Sequence, residues 1–354
     1  MLFVPFLAKY KGMNDNIVND RETTATEERQ ILDNIYVVAP GVWRMKDVFV
    51  NVFIIESQQQ PGWVLVDAGL KSSYAKIKKM IAETIEPGAA PNAIIMTHGH
   101  FDHRGSLQQL ADEWKVPIYC HHMEVPYLTG KASYPPPDPT VGGGMMASMA
   151  FTYPKSPIDI QEYLQELPED ETVPHLPEWK VIHTPGHTAG HISLFRERDG
   201  VLIAGDAIVT TKQESIFSVM AQKKILSGPP KYFTSDWGAA ARSVKALAAL
   251  QPSVIATGHG PSMYGDEARK SLNKLSKEFW RLGMPAHGRY VSEPALFNDE
   301  GPTYIPPSKL TPMLLKFFAV AAAVTIGVLL LKNNNRKELK KVFKKSSGKL
   351  FGKK

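Results

Sequence analysis

The stretch that decides the fold reads Thr97-His98-Gly99-His100-Phe101-Asp102-His103-Arg104-Gly105. It joins an apolar, strand-like run to a helical pattern that begins at Ser106. Three histidines and an aspartate make a poor core but good metal ligands. In an extended strand end His98 and His100 point the same way, so both imidazoles can reach one ion. Asp102 and His103 lie where the chain turns and can face a second ion. The alternative is a solvated, histidine-rich turn.

The composition predicts one folded domain with additions. The chain has 354 residues, 43% hydrophobic and 21% charged, which suits one domain of roughly 250–280 residues. Its net charge of +6 lies in the tail, because residues 332–354 hold ten Lys or Arg against one acid. Without them, the totals of 41 and 35 fall to 31 basic and 34 acidic residues, a net charge of −3. We therefore expect no nucleic-acid partner.

Apolar runs of strand length alternate with helical patterns, which predicts an α/β (α+β) layered domain. The predicted strands cover 35–38, 48–55, 63–66, 93–96, 117–120, 192–195, 201–204 and 253–256, and the predicted helices 73–85, 106–114, 237–250 and 266–282. Residues 1–29 are predicted to form an N-terminal extension and 30–308 the main domain. Within it, 123–176 is rich in Pro, Gly, Met and aromatic residues. This irregular insertion is either a surface feature or a candidate substrate lid.

Further candidate ligands follow later segments of the predicted sheet, at His187, Asp206 and His259. Because Cys120 is the only cysteine, the chain cannot form an intramolecular disulfide, and one free thiol is consistent with a reducing compartment. We expect Cys120 to be a small buried apolar residue. Five histidines are expected to have packing or supporting roles: His121, His122, His175, His183 and His191.

The chain resembles the metallo-β-lactamase-fold hydrolases, the superfamily that includes glyoxalase II and the quorum-quenching lactonases. The resemblance covers roughly residues 30–290 and rests on the ordered set Asp67, His98-x-His100-x-Asp102-His103, His187, Asp206 and His259. It implies a four-layer αββα sandwich with a two-metal site at one edge. The ligands it implies are His98, His100 and His187 for the first ion and Asp102, His103 and His259 for the second. Asp206 would bridge the ions, and Asp67 would orient the first motif without binding metal.

Five imidazoles and two carboxylates suit zinc, with iron or manganese as alternatives, so two Zn²⁺ ions are the predicted cofactors. Two ions about 3.5–4 Å apart would hold a hydroxide at neutral pH. The hydroxide would attack a carbonyl carbon, and Asp102 would accept or relay the proton to the leaving group. We therefore expect a metallohydrolase that cleaves a small-molecule ester, lactone, thioester or amide.

Departures from known members limit the predicted substrate. Val209 stands where the lactonases carry a tyrosine, three residues after the bridging aspartate. No cysteine precedes the last histidine, unlike the cysteine-containing β-lactamases. The glutathione-binding domain of glyoxalase II cannot be placed in the C-terminal sequence. His287 and Arg289 are the candidate substrate anchors.

Three alternatives remain open. The first is a mononuclear iron persulfide dioxygenase on the same fold, with iron on His98, His187 and Asp206. The second is a nuclease of the same superfamily, which the non-basic body disfavours. The third is a non-catalytic membrane scaffold, which would not explain a complete ligand set.

A membrane anchor is predicted near the C-terminus. Residues 313–331 include one charge, Lys316, and would extend about 28 Å as a helix. With the basic tail, 332–354, this segment makes membrane lipids an expected partner. A basic tail favours a cytoplasmic C-terminus. The lack of an export signal favours a body that faces the cytoplasm, and this is the orientation we predict for a single-pass protein.

Overall fold

The computed structural model describes residues 27–309. The predicted membrane segment, 313–331, the basic tail, 332–354, and most of the 1–29 extension lie outside these residues. Among residues 27–309, no helix is long and apolar enough to cross a bilayer.

The first sheet has eight strands that follow one another in chain order. These are β1 (Arg29–Leu32), β2 (Ile35–Ala39), β3 (Val42–Asp47), β4 (Val50–Glu56), β5 (Trp63–Val66), β6 (Ala93–Ile95), β7 (Ile118–Cys120) and β8 (Leu164–Glu166). Neighbours from β1 to β5 pair antiparallel, and neighbours from β5 to β8 pair parallel. Both β5 and β6 are short apolar runs that are entirely buried, as expected for a sheet covered on both faces.

The second sheet has five strands, β9 (Lys180–His183), β10 (Ile192–Arg196), β11 (Val201–Ile203), β12 (Val254–Ala256) and β13 (Met263–Tyr264). Their order across the sheet is β13-β12-β11-β10-β9, with only β11 and β12 parallel. A separate hairpin pairs β14 (Leu296–Asn298) with β15 (Gly301–Tyr304).

The helices are α1 (Tyr74–Thr84), α2 (Leu107–Trp114), α3 (Val125–Leu128), α4 (Met145–Ser148), α5 (Ile216–Met220), α6 (Trp237–Ala249), α7 (Gly265–Lys277) and α8 (Phe279–Leu282). Asp236 caps α6, because its carboxylate accepts a hydrogen bond from the N–H of Ala239 at 2.9 Å.

Three apolar clusters give the fold its layers. Between the sheets, Phe53 and Val66 of the first sheet share a core with Leu194 and Ile203 of the second. On the outer face of the first sheet lie the buried residues of α1 and α2, and on the outer face of the second lie those of α6 and α7. The arrangement is therefore the four-layer αββα sandwich that the resemblance implies.

The predicted helix 266–282 is instead two helices, α7 and α8. Two further differences from the sequence interpretation concern the first sheet. Between the predicted strands 35–38 and 48–55 lies an additional strand, β3, because Gly41 takes a positive φ of 70° and turns the chain directly after β2. The predicted irregular insertion, 123–176, supplies β8, which pairs with β7 and extends the first sheet. It also supplies two short α-helices, α3 and α4, with buried side chains.

Candidate metal centre

The candidate ligands lie on the loops that follow β6, β9, β11 and β12, so strand ends from both sheets meet at one edge. Two triads of candidate ligands lie there, and within each triad the three ligand atoms are within 4.8 Å of one another. The first triad is His98, His100 and His187, and the second is Asp102, His103 and His259. All six side chains are buried. The structure therefore brings together the two triads that the resemblance implies.

In the first triad, the imidazole nitrogens face one another. His100 Nδ1 lies 2.9 Å from His187 Nε2, and His98 Nε2 is buried without a hydrogen-bond partner. Burial lowers the pKa of His98 and His100 well below the ordinary value and that of His187 to about 3. The three imidazoles are therefore held neutral, the form that binds a metal ion.

In the second triad, each imidazole is fixed by a bond on its outer nitrogen. His103 Nδ1 lies 2.8 Å from Asp67 Oδ2, which turns an unpartnered Nε2 inward. His259 Nδ1 lies 2.6 Å from the carbonyl oxygen of Phe49, and its Nε2 lies 3.6 Å from Asp102 Oδ2. A bond that fixes the outer nitrogen sets the tautomer and orientation of a metal-binding histidine.

Asp206 lies between the triads. Its Oδ2 is 3.6 Å from His187 Nε2 and 3.0 Å from His259 Nε2, while its Oδ1 is 3.6 Å from His103 Nε2 and has no hydrogen-bond partner. Burial alone raises the pKa of Asp206, but His259 and His103 outweigh it and hold that pKa well below its usual range. An ionised carboxylate therefore faces both triads, as a bridging ligand requires.

Asp67, predicted to orient the first motif, contacts that motif at two residues. Its carboxylate accepts hydrogen bonds from the N–H and the hydroxyl of Thr97, each at 2.8 Å, and it also contacts His103. Its positive φ of 62° turns the chain just after β5 and brings the carboxylate to the start of the histidine loop. Asp67 thus joins the beginning of the loop to one of its imidazoles.

His191 supports Asp206 from behind. Its Nε2 accepts the N–H of Asp206 at 2.8 Å, and its Nδ1 lies 2.8 Å from the hydroxyl of Thr184. A Cβ at Gly205 would lie 2.6 Å from the same Nε2, so only glycine permits this approach. His183 and His121 instead stack at 4.0 Å, with His122 beside them, and donate no ligand to either triad.

Glu124 is a site residue that sequence analysis missed. It is completely buried, and its Oε2 accepts the N–H of Gly99 at 3.0 Å and the hydroxyl of Tyr134. Its Oε1 accepts the hydroxyl of Thr188 at 2.6 Å and the N–H of Gly190 at 3.1 Å. One carboxylate thus joins the loop of His98 and His100 to the loop of His187. No local motif marks it, because its partners are 25 and 66 residues away.

Aromatic side chains cover the first triad. Phe233 stacks on His100 with ring centres 4.5 Å apart, and Tyr134 lies 4.6 Å from the same imidazole. Phe101 stacks on Tyr153 at 5.6 Å, and Phe233 lies 5.8 Å from Tyr153. Tyr134 and Tyr153 belong to the 123–176 insertion, which therefore contributes an aromatic wall next to the candidate metal centre.

The candidate substrate anchors, His287 and Arg289, lie outside this insertion and contact another part of it. The N–H of Arg289 donates to Asp138, and its guanidinium lies 5.8 Å from the ring centre of Tyr290. His287 lies beside Gly142. Within residues 27–309, neither side chain has a hydrogen bond to a candidate ligand. Cys120 is buried in β7, as expected.

The donor set fits divalent metal ions. A third grouping, His98, His103 and Asp206, also lies within 4.8 Å, and it contains the three ligand atoms that have no hydrogen-bond partner. Buried polar atoms are normally paired. A cation would satisfy all three atoms, and nitrogen and oxygen donors suit zinc, iron or manganese.

Comparisons with known proteins identify related sequences and one superfamily. The metallo-beta-lactamase family protein TTHA1429 from Thermus thermophilus has a related structure, with a TM-score of 0.49, 19% identity and coverage of 69% of this chain and 81% of its own. The probable metallo-hydrolase YybB of Bacillus subtilis (strain 168) is 28% identical over 58% of this chain and 80% of its own. The probable metallo-hydrolase YflN of the same organism is 44% identical over 68% of this chain and 92% of its own. Residues 45–259 match the Metallo-beta-lactamase superfamily. On that match and the identity with YflN, the chain belongs to the metallo-β-lactamase superfamily.

Proposed function

We propose that the chain is a two-metal hydrolase that cleaves a small-molecule ester, lactone, thioester or amide at its carbonyl carbon. One observation carries the proposal: His98 Nε2, His103 Nε2 and Asp206 Oδ1 are buried, unpartnered and close together. The family of probable metallo-hydrolases in which YflN and YybB are found supports it.

Each triad would hold one ion, and Asp206 would contact both. Zinc is the metal we propose, although the same donors accept iron or manganese. When bound, the ions would supply a water acidic enough to attack at neutral pH and a positive charge beside the carbonyl oxygen. The nucleophile then needs no serine, cysteine or threonine side chain.

Asp102 is the candidate catalytic residue. Its carboxylate is only 5% exposed, and burial raises its pKa, an effect that the charges of His103 and His259 partly offset. We propose that Asp102 takes the proton of the attacking water and passes it to the leaving group. We propose that Phe101, Tyr153 and Phe233 limit the access of bulk water on the side of the first triad.

The test is a substrate panel with the metal-reconstituted full-length protein. Activated esters, lactones and thioesters should be hydrolysed, and Asp102→Asn should lose most of the rate while keeping the fold. If the protein hydrolyses none of these classes but consumes oxygen with a persulfide, the mononuclear iron alternative is correct. That alternative uses His98, His187 and Asp206, and it assigns no role to the second triad.

We also propose that residues 313–331 anchor the enzyme to a membrane and that the basic tail, 332–354, contacts anionic headgroups. The support is the sequence alone, with one charge in 19 residues followed by ten basic side chains in 23. The catalytic domain would face the cytoplasm. Fractionation and protease accessibility test both parts of this proposal.

A further inference from the structure

Two neighbouring segments, residues 143–155 and 212–224, form a surface that we call the rim and that adjoins the aromatic wall at Tyr153. They touch where their helices begin. The N–H of Met146 in α4 donates to the carbonyl oxygen of Glu214 at 3.2 Å. Gly144 lies so close to the next residues that a Cβ there would be 3.1 Å from the Cα of Ser215, the cap of α5. The short helices α4 and α5 therefore start side by side.

The rim concentrates exposed apolar side chains. Of the ten large apolar residues that are exposed among residues 27–309, five lie in these two segments. They are Met145, Met149, Phe151, Phe217 and Met220, which are 50%, 46%, 66%, 82% and 73% exposed. Single exposed apolar residues need no explanation, but a concentration of them marks an interaction surface.

The exposed charges of the same segments are all positive. Lys155, Lys212, Lys223 and Lys224 are exposed. The one acidic residue, Glu214, is buried and accepts the N–H of Lys231 at 3.1 Å. Exposed large apolar side chains and lysines in the same two segments fit the interface of an anionic bilayer, where the apolar groups enter the acyl boundary and the lysines meet the headgroups.

The inner side of the rim faces the candidate metal centre. Ala147 and Ala150 pack with Tyr232, and Tyr153 continues into the aromatic wall beside His100. We propose that the rim docks on the surface of a bilayer that contains anionic lipid. This inference does not depend on which bond the enzyme cleaves, nor on the membrane segment predicted at 313–331.

The test places an environment-sensitive fluorophore on the rim of the full-length protein. Because Cys120 is completely buried, a single exposed cysteine can be labelled selectively. Met149→Cys and Met220→Cys carry the probe on each segment, and Leu296→Cys, on β14 and 54% exposed, is the matched control. With vesicles of phosphatidylcholine and phosphatidylserine, we expect a blue shift and severalfold brighter emission at both rim positions, with quenching by labelled lipid, and no change at the control.

A protein that pellets with these vesicles without any change at Met149→Cys and Met220→Cys would overturn the proposal. Equal changes in pure phosphatidylcholine would also overturn it, as would an unchanged signal after Lys212, Lys223 and Lys224 are all replaced by Ser. A blue shift that is already present before vesicles are added would show that something else covers the rim. If the blue shift disappears on dilution, a second copy of the chain covers the rim. If it disappears when residues 313–331 are deleted, that segment covers the rim. Either result excludes the bilayer.

Discussion

Gly258→Ala is the sharpest perturbation of the candidate metal centre, because it adds one methyl group next to two ligands. A Cβ at Gly258 would lie 2.8 Å from Cε1 of His103 and 3.2 Å from Cγ of Asp206, with Asp206 Oδ1 closer still. Ordinary carbon contacts begin near 3.5 Å. The imidazole must therefore move by roughly 0.7 Å and the carboxylate oxygen by about 1 Å, whereas ligand distances tolerate only about 0.2 Å.

We therefore expect Gly258→Ala to lower the affinity for at least one ion by about 100-fold, the upper range for changes beside metal ligands. Unfolding free energy should fall by about 1–3 kcal/mol, as for other overpacked sites. Gly258 has no positive φ, so backbone strain does not contribute. The assay combines metal content after dialysis with chelator competition and thermal unfolding.

Gly238→Ala is the matched control, since it adds the same methyl group in helix α6. Its Cβ would have its nearest contact at 3.3 Å, with Asp236 Oδ1, so a small adjustment accommodates it. This variant should keep the full metal content. Wild-type affinity in Gly258→Ala would refute the position of Asp206 as a shared ligand.

Three further predictions follow from contacts of other residues. Glu124→Gln should lower the free energy of unfolding by about 1–3 kcal/mol and weaken metal binding, because an amide leaves one buried donor unsatisfied. An unchanged unfolding transition in calorimetry together with an unchanged metal content would contradict this prediction. Burial, together with the neighbouring His183 and His122, lowers the pKa of His121 to about 3. Because the unfolded chain then binds a proton more readily than the folded one, the free energy of unfolding should fall as the pH drops from about 6.5 towards 3. His121→Asn can still accept the N–H of Met123, so its Tm should fall less than the wild-type Tm as the pH drops. Equal falls of Tm in the variant and the wild type would contradict the assignment of this pH dependence to His121. Full-length protein should stay with membranes through a high-salt wash while residues 1–308 are released, and rapid loss of the domain when protease is added to intact cells would show that the predicted orientation is wrong.

The candidate ligands could be predicted because their pattern is local. Three histidines and an aspartate occupy six positions, and Asp206 and His259 lie within three residues of the ends of short apolar strands. The strand ends that carry them meet at one edge because the sheets stack face to face, which the resemblance implied. Metal number and the role of Asp102 stay predictions, since residue type and spacing do not determine occupancy.

The supporting residues could not be predicted because their partners are distant in sequence. Glu124 lies in a segment without periodicity, and its role depends on donors from two separate loops. Gly258 is indistinguishable in sequence from an ordinary turn glycine, and only the approach of Asp206 shows why a side chain is excluded. Strand β8 was missed for a similar reason, since its three residues, two of them exposed, form a strand only by pairing with β7.

Metal content tests the central claim most directly. Full-length protein, purified without chelator and reconstituted with zinc, should contain two equivalents per chain by elemental analysis. Asp206→Ala should weaken the binding of both ions, whereas replacing His98 and His100 together by Ala should remove only the first. One equivalent or less in the reconstituted wild type, or a second ion that is unaffected by Asp206→Ala, would contradict a two-metal centre that shares this carboxylate.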